Sequence, residues 1–319
     1  MPLSAFPLSF LVVFAVAFGL ALGSFLNVVI YRVPRGISVS RPPSSCPACG
    51  KRIRAWDNIP VLGWVLLRGK ARCCGVPIAP RYPLVELLGG LMAWAVLQGV
   101  VLDKPHLAWH IGLLLFAVYL YFALSLIASI FIDLEHMILP DEITWRLAAV
   151  GLLSAPLRGA PLGKMLLGAL LGYLVVWGPF IWLYRKVRGQ AGMGLGDAKL
   201  LLAIGCWFGM PGVLFALLAG SVQGTLFALA AYAVRGKLEE PSAVREERQA
   251  MNEHLAQASP EERAALEAEL AHDPLAREPQ AGLAQARIPF GPFLSLAALE
   301  YLIWGETFRA QYFFWVWGG

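Results

Sequence analysis

Apolar residues in this chain gather in long unbroken runs, unlike the alternation of half-buried strands or the three-to-four spacing of surface helices. A helix crosses a hydrocarbon core in about 20 such residues. Runs of that order predict spans at about Leu8–Tyr31, Tyr82–Leu102, Ile111–Ile132, Leu162–Tyr184, Val213–Val234 and Phe290–Gly305. Two shorter segments, about Trp145–Leu157 and Ala198–Phe208, complete the count, and the second closes in a turn at Gly209–Gly212. The expected fold is an all-α polytopic membrane protein of about eight transmembrane helices. A signal peptide over residues 6–30 is the competing reading of the start. It lacks a basic head, and its apolar run is about twice the usual length.

Polar stretches divide the chain into a first span (1–31), a loop rich in Pro, Cys and Gly (32–81), a transmembrane core (82–235), a charged insert (236–287) and a last span with an aromatic tail (288–319). The loop carries ten Lys or Arg against one acid, Asp57, between Arg32 and Arg81. The positive-inside rule therefore places it in the cytoplasm, and Arg185, Lys186 and Arg188 mark a second cytoplasmic end. Both chain ends then lie outside, with Tyr312–Trp317 at the outer interface. The insert reverses the charge, with eleven acids and six bases. Within it, Ser259-Pro260-Glu261-Glu262 reads as a helix start. One or two amphipathic or solvated cytoplasmic helices are expected there.

Composition agrees with this division. Of 319 residues, 58% are apolar and 15% charged, against about 45–50% and about 25% in soluble domains. The net charge of +5 is local to the first loop, which lacks the helical or aromatic periodicity of a nucleic-acid binder. No nucleic-acid partner is expected, and the lipid bilayer is the first one. Four of the five cysteines lie in that loop, in a reducing compartment. They argue for a metal or for reduced thiols rather than disulfides. Cys206 falls in an apolar run and reads as core.

Candidate chemistry centres on Asp133 and Asp197. Each abuts an apolar span, where a charge is costly and functional by default. The topology brings both to one membrane face, with one out-and-back hairpin between them. Asp197 precedes a span, and N-capping is its bland reading. Asp133 ends one, against the negative end of the helix dipole, and an ordinary interfacial acid among Glu135, Asp141 and Glu142 is its bland reading. If the two meet, they cannot both ionise freely, and one keeps a proton. The ionised acid can then take a proton from water while the other polarises a peptide carbonyl, which is aspartic proteolysis. The helix ends assign Asp197 as base and Asp133 as proton holder, the pair titrating as a unit. Gly194 and Gly196 allow close approach and positive φ before Asp197. Glu86 either faces this site or pairs with a cytoplasmic arginine. Lys199, one turn into its helix, snorkels to the interface.

These residues resemble a known family. Ile132-Asp133-Leu134-Glu135-His136-Met137-Ile138-Leu139-Pro140-Asp141 and Gly192-Met193-Gly194-Leu195-Gly196-Asp197-Ala198-Lys199-Leu200 are similar to the two signatures of the type IV prepilin leader peptidases. Gly23-Ser24-Phe25-Leu26-Asn27-Val28 with Tyr31-Arg32, Asn58-Ile59-Pro60, Arg81-Tyr82-Pro83-Leu84-Val85-Glu86 and Ile288-Pro289-Phe290-Gly291-Pro292 resemble further motifs, in family order. The resemblance covers nearly everything outside 236–287. It implies a bifunctional enzyme of the bacterial inner membrane, with Asp133 and Asp197 catalytic at the cytosolic face. Such an enzyme removes a basic leader from prepilins and pseudopilins after a Gly. It then methylates the new N-terminus with S-adenosylmethionine. Asn27, Asn58 and Arg81 take methyltransferase or structural roles under it.

The family's paired C-x-x-C motifs are a zinc signature. Cys46-Pro47-Ala48-Cys49 is intact, but the second pair reads Ala71-Arg72-Cys73-Cys74, with Ala71 at the expected first cysteine. Zinc on Cys46, Cys49, Cys74 and Cys73 is the expectation, at the cost of a strained backbone between the adjacent cysteines. A metal-free loop would make the chain a peptidase with its methyltransferase lost or altered. A transporter would need polar residues recurring along span faces, and spans one, three, five and seven show few. A thiol oxidoreductase would begin a helix at Cys46, where Gly and a basic run follow instead.

Overall fold

The computed structural model describes residues 5–104, 106–188, 192–235, 241–259, 261–263, 266, 270 and 288–317. Residues 189–191, ahead of the Gly192–Leu200 motif, and most of the insert after Ser259 fall outside them. The described residues form helices and loops without a β-strand. The principal helices are α1 (Leu8–Arg32), α2 (Leu62–Leu66), α3 (Arg81–Val96), α4 (Trp109–His136), α5 (Asp141–Leu153), α6 (Leu162–Val176), α7 (Tyr184–Arg188), α8 (Leu195–Arg235), α9 (Ser242–Gln257) and α10 (Gly291–Trp317). A wider helical turn over Trp177–Leu183, which contains Pro179, joins α6 to α7.

Among the described residues, five stretches are long and apolar enough to cross a bilayer: Leu8–Arg35, Arg81–Val101, Trp109–His136, Leu162–Arg188 and Leu195–Val234. Helix α5, with 13 residues, rises only about 20 Å against a core of about 30 Å. At the other end, α10 continues to Trp317, so the expected aromatic tail is backbone helix. In the insert, α9 answers to one expected helix, and the Ser259 N–H and hydroxyl both donate to Glu262 Oε2 (3.1 and 2.9 Å), as the helix-start pattern implied.

Helix α8 is a hairpin. Gly209 takes φ 66° and ψ −160°, and Pro211 follows. A Cβ on Gly172 would stand 2.6 Å from Leu201 O and 3.1 Å from Val213 Cγ2. Those two atoms therefore lie within about 6 Å of each other, whereas 12 residues of continuous helix would separate them by about 18 Å. The turn sits where the sequence places it, at Gly209–Gly212.

The chain forms two compact units. The first comprises Met1–Ser129, Leu157–Gly159 and Leu302–Gly319; the second comprises Ile130–Pro156 and Ala160–Tyr301. In the first, α1 and α3 cross closely, with Gly19 against Gly89 and Ala93, and Gly23 against Glu86. Small residues let the backbones touch, the packing available to helices in lipid. In the second, α6 lies against α8, with Gly168 on Gly209 and Gly205 on Gly168. Helix α5 packs on the first arm of α8, where Trp207 Nε1–H donates to Leu147 O at 2.8 Å.

Candidate active site

Helix α4 ends at His136 because Met137 turns left-handed (φ 55°), its N–H donating to Asp133 O at 2.9 Å. The chain then passes Leu139 and Pro140 and enters α5. Asp133 therefore sits one turn before a capped helix end, and it is buried, 5% exposed. Asp197 stands in the first turn of α8, 8% exposed.

Three short segments converge on these acids within the second unit. The Gly291 N–H, at the start of α10, donates to the Asp133 carboxyl. A Cβ on Gly291 would collide with Asp133 Oδ2 and stand 3.0 Å from Leu139 Cδ1. A Cβ on Gly196, next to Asp197, would stand 2.9 Å from Leu139 Cβ. Leu139 is thus a wedge lying against both the glycine beside Asp133 and the glycine beside Asp197. The charge of Asp197 acts on Asp133.

Several expectations change here. Asp197 is the third residue of α8 and not its N-cap; its carboxyl reaches back to accept the Gly194 N–H, half of a capping box. Neither Gly194 nor Gly196 has positive φ. Close approach is real at Gly196, but a Cβ on Gly194 would meet Asp197 Oδ2 at an ordinary 3.5 Å. The helix ends do not set the two acids apart as expected, since Asp133 receives an N–H from the start of α10 just as Asp197 does from that of α8. Lys199 is ion-paired with Asp141 at 2.6 Å. Glu86 pairs with no arginine among the described residues: its carboxylate accepts the Val61 N–H at 2.7 Å and the Ser24 hydroxyl. Cys206 is core, 1% exposed. Leu139 and Gly291 are the site residues that sequence reasoning left out, although both stood inside quoted motifs.

The cysteine module occupies the first unit. Cys46 N–H donates to Lys51 O (2.9 Å) and Gly50 N–H to Cys46 O (2.8 Å); Ala71 N–H donates to Val76 O (2.8 Å) and Gly75 N–H to Ala71 O (2.7 Å). The two turns match position by position, with bridges Ser45–Arg52 and Lys70–Pro77 outside them and left-handed Gly50 and Gly75 closing them. Ala71 therefore stands where the first turn has Cys46, and Cys73 replaces the missing thiol from the next register. The adjacent cysteines fit without a left-handed residue between them, so the expected strain is absent in that form.

Tetrahedral zinc with Zn–S of about 2.3 Å places sulfurs about 3.8 Å apart. Cys49–Cys73, Cys46–Cys74 and Cys73–Cys74 are 3.3, 3.6 and 3.8 Å apart, and all four sulfurs lie within 4.8 Å of one another. The residues fit a zinc ion. Backbone N–H groups of Cys49 and Ala48 pull the Cys46 thiol down to about 7, the direction that favours a ligand thiolate. Hydrogen bonding to Cys49 and burial push the Cys73 thiol up to about 12.

A helical membrane protein with two buried carboxyls around one leucine wedge, and a separate four-cysteine module, has the parts of a membrane-embedded peptidase with an N-terminal accessory domain. Residues 17–99 match the model of the bacterial peptidase A24 N-terminal domain, and residues 120–229 that of the type IV leader peptidase family. The chain belongs to that family. It is 31% identical to a prepilin leader peptidase/N-methyltransferase of Stutzerimonas stutzeri over 97% of this chain and 96% of the relative. It is 34% identical to one of Aeromonas hydrophila over 92% and 91%, and 41% identical to one of Klebsiella pneumoniae over 64% and 87%. No solved structure matches it.

Proposed function

We propose that the chain is an aspartic endopeptidase that cuts the basic leader from type IV prepilins and pseudopilins after a Gly, at the cytosolic face of the bacterial inner membrane. The observation that carries this reading is the convergence of Asp133, Asp197, Leu139 and Gly291, which leaves two buried carboxyls with a backbone amide on each. One carboxyl holds the shared proton and donates it toward the scissile carbonyl oxygen. The other takes a proton from water, whose oxygen bonds to the carbonyl carbon. The C–N bond then breaks as a proton returns to the leaving amine. A substrate whose apolar helix stays in the bilayer presents its cut site at the depth of these acids.

The second activity in this proposal is N-methylation of the new N-terminus, with S-adenosylmethionine as methyl donor. Cys46, Cys49, Cys73 and Cys74 would hold a structural zinc, which supplies rigidity to the loop rather than chemistry. Eight crossings with both ends outside remain the topology this reading uses, counting α5 and the two arms of α8 as separate passes.

Purified protein in lipid nanodiscs, given a prepilin and S-adenosylmethionine, should yield a product beginning after the Gly and carrying one added methyl group. An uncut prepilin ends the peptidase reading. A cut but unmethylated product ends the second.

A further inference from the structure

From the geometry of the α1–α3 seam we infer a binding site for a primary ammonium group, formed by Glu86, Asn27 and Ser24. It rests on the methyltransferase reading for its substrate, the amine freed by leader cleavage. Glu86 and Asn27 are 9% and 4% exposed. The Glu86 carboxylate accepts two hydrogen bonds, from the Val61 N–H at 2.7 Å and from the Ser24 hydroxyl, and a carboxylate has room for about two more. One turn along the same seam, Asn27 Nδ2 donates to Tyr82 O at 3.1 Å. That carbonyl fixes which end of the amide faces it, because Oδ1 cannot donate. Asn27 Oδ1 is left buried with no partner. A buried acceptor is costly to leave unmade.

The loop on this carboxylate is held against its own preference. Leu62 N–H donates to Pro60 O at 2.6 Å, and Val61 sits at φ 62°, ψ −51°. That is the strained form of γ-turn, here built on a β-branched residue. Arg72, inside the second cysteine turn, grips Asp57 through two contacts of 3.0 and 3.1 Å. The cysteine module thus anchors the segment that leads into the Val61 turn.

The buried Glu86 carboxylate and the unpartnered Asn27 Oδ1 call for a ligand rich in N–H and positive in charge. An α-ammonium meets that description. A free N-terminus titrates near pH 8, so at neutral pH it arrives mostly protonated and must lose a proton before it can act as nucleophile. Glu86 accepts that proton. The amine lone pair then bonds to the methyl carbon of the sulfonium donor, the S–C bond breaks with its electrons on sulfur, and a neutral thioether leaves. Asn27 Oδ1 holds a second N–H and orients the lone pair.

The test compares wild type with Glu86→Gln, which keeps an acceptor for Val61 and loses the charge. The probes are a peptide of Phe followed by an apolar helix, with a free or an acetylated N-terminus, in nanodiscs. Bound zinc and helical content check the fold. Wild type should bind the free amine about 10- to 100-fold more tightly than the acetylated peptide. Glu86→Gln should lose that preference and slow methyl transfer about 10²- to 10⁴-fold. A Gln variant with wild-type preference and rate overturns the site, as does a wild type without preference. If Glu86→Gln fails to fold, Asn27→Ala replaces it, and an unchanged preference there is equally fatal. A wild type that selects the free amine yet transfers no methyl leaves the ammonium site standing and removes the methyltransferase reading.

Discussion

Replacing Gly291 with alanine probes the dyad without touching either acid. The added Cβ would overlap Asp133 Oδ2 and press on Leu139 Cδ1 and Cδ2 at 3.0 and 3.2 Å. Leu139 is itself closely approached by Gly196, which limits how far it can yield. The cheaper response is for the carboxyl to retreat by roughly 1 Å toward ordinary contact distance. It would take with it the hydrogen bond from the Gly291 N–H. A misplacement of that size costs about 10²-fold in rate, while overpacking costs about 1–3 kcal/mol of stability. Gly194→Ala is the control: its Cβ meets Asp197 Oδ2 at 3.5 Å and φ is not positive, so cleavage should change by less than about threefold. Initial rates of prepilin cleavage in nanodiscs, with thermal melting of each variant, give the comparison. A Gly291→Ala enzyme that is folded and cuts at the wild-type rate would refute the proposed part of the Gly291–Asp133 contact in cleavage.

Other outcomes follow from the same geometry. Ala71→Cys combined with Cys73→Ala restores the regular spacing and should retain about one zinc per chain after dialysis, whereas Cys73→Ala alone should lose metal more readily; equal retention by both would show Cys73 is no ligand. Asp141→Asn removes the partner of Lys199 in a pair whose side chains are 57% and 18% exposed. Such a pair is worth at most about 1 kcal/mol, so the melting temperature should barely move; a large drop in the melting scan would mean the pair holds α5 to α8. Bonding from Ser259 holds the Glu262 carboxyl below its ordinary range. Its support for that helix start is complete above pH ~4.3 and fades as the pH falls through the lowered value. Hydrogen exchange around Glu262 should accelerate only in that acid range, and exchange that rises with alkalinity beyond the intrinsic rate would contradict the sign.

What the sequence made legible was what runs and punctuation can encode. Long apolar stretches located the helices long and apolar enough to cross a bilayer, Gly209, Pro211 and Gly212 located the hairpin turn, and the two acids stood out against the apolar runs beside them. The cysteine cluster was readable from residue type, although Ala71 concealed that the second turn keeps the same hydrogen bonds as the first. Contacts between segments distant in the chain were not readable. Leu139 touches Gly196 and Gly291 only in three dimensions, and neither apolar periodicity nor a charge marks it. The Gly291 amide removed the dipole argument for Asp133 because α10 starts more than 150 residues downstream. The partners of Glu86 were hidden for a similar reason. One of them is a backbone N–H, presented by an unusual turn at Val61 that no residue type announces.

The proteolytic claim comes down to whether both buried acids are needed to break one peptide bond. Asp133→Asn and Asp197→Asn are nearly isosteric, and each keeps an oxygen for its backbone amide. Incubated with prepilin, each folded variant should leave the leader attached, with less than about 10⁻³ of the wild-type cleavage rate. If either variant releases a correctly cut product at a rate close to wild type, the two aspartates are not the catalytic pair.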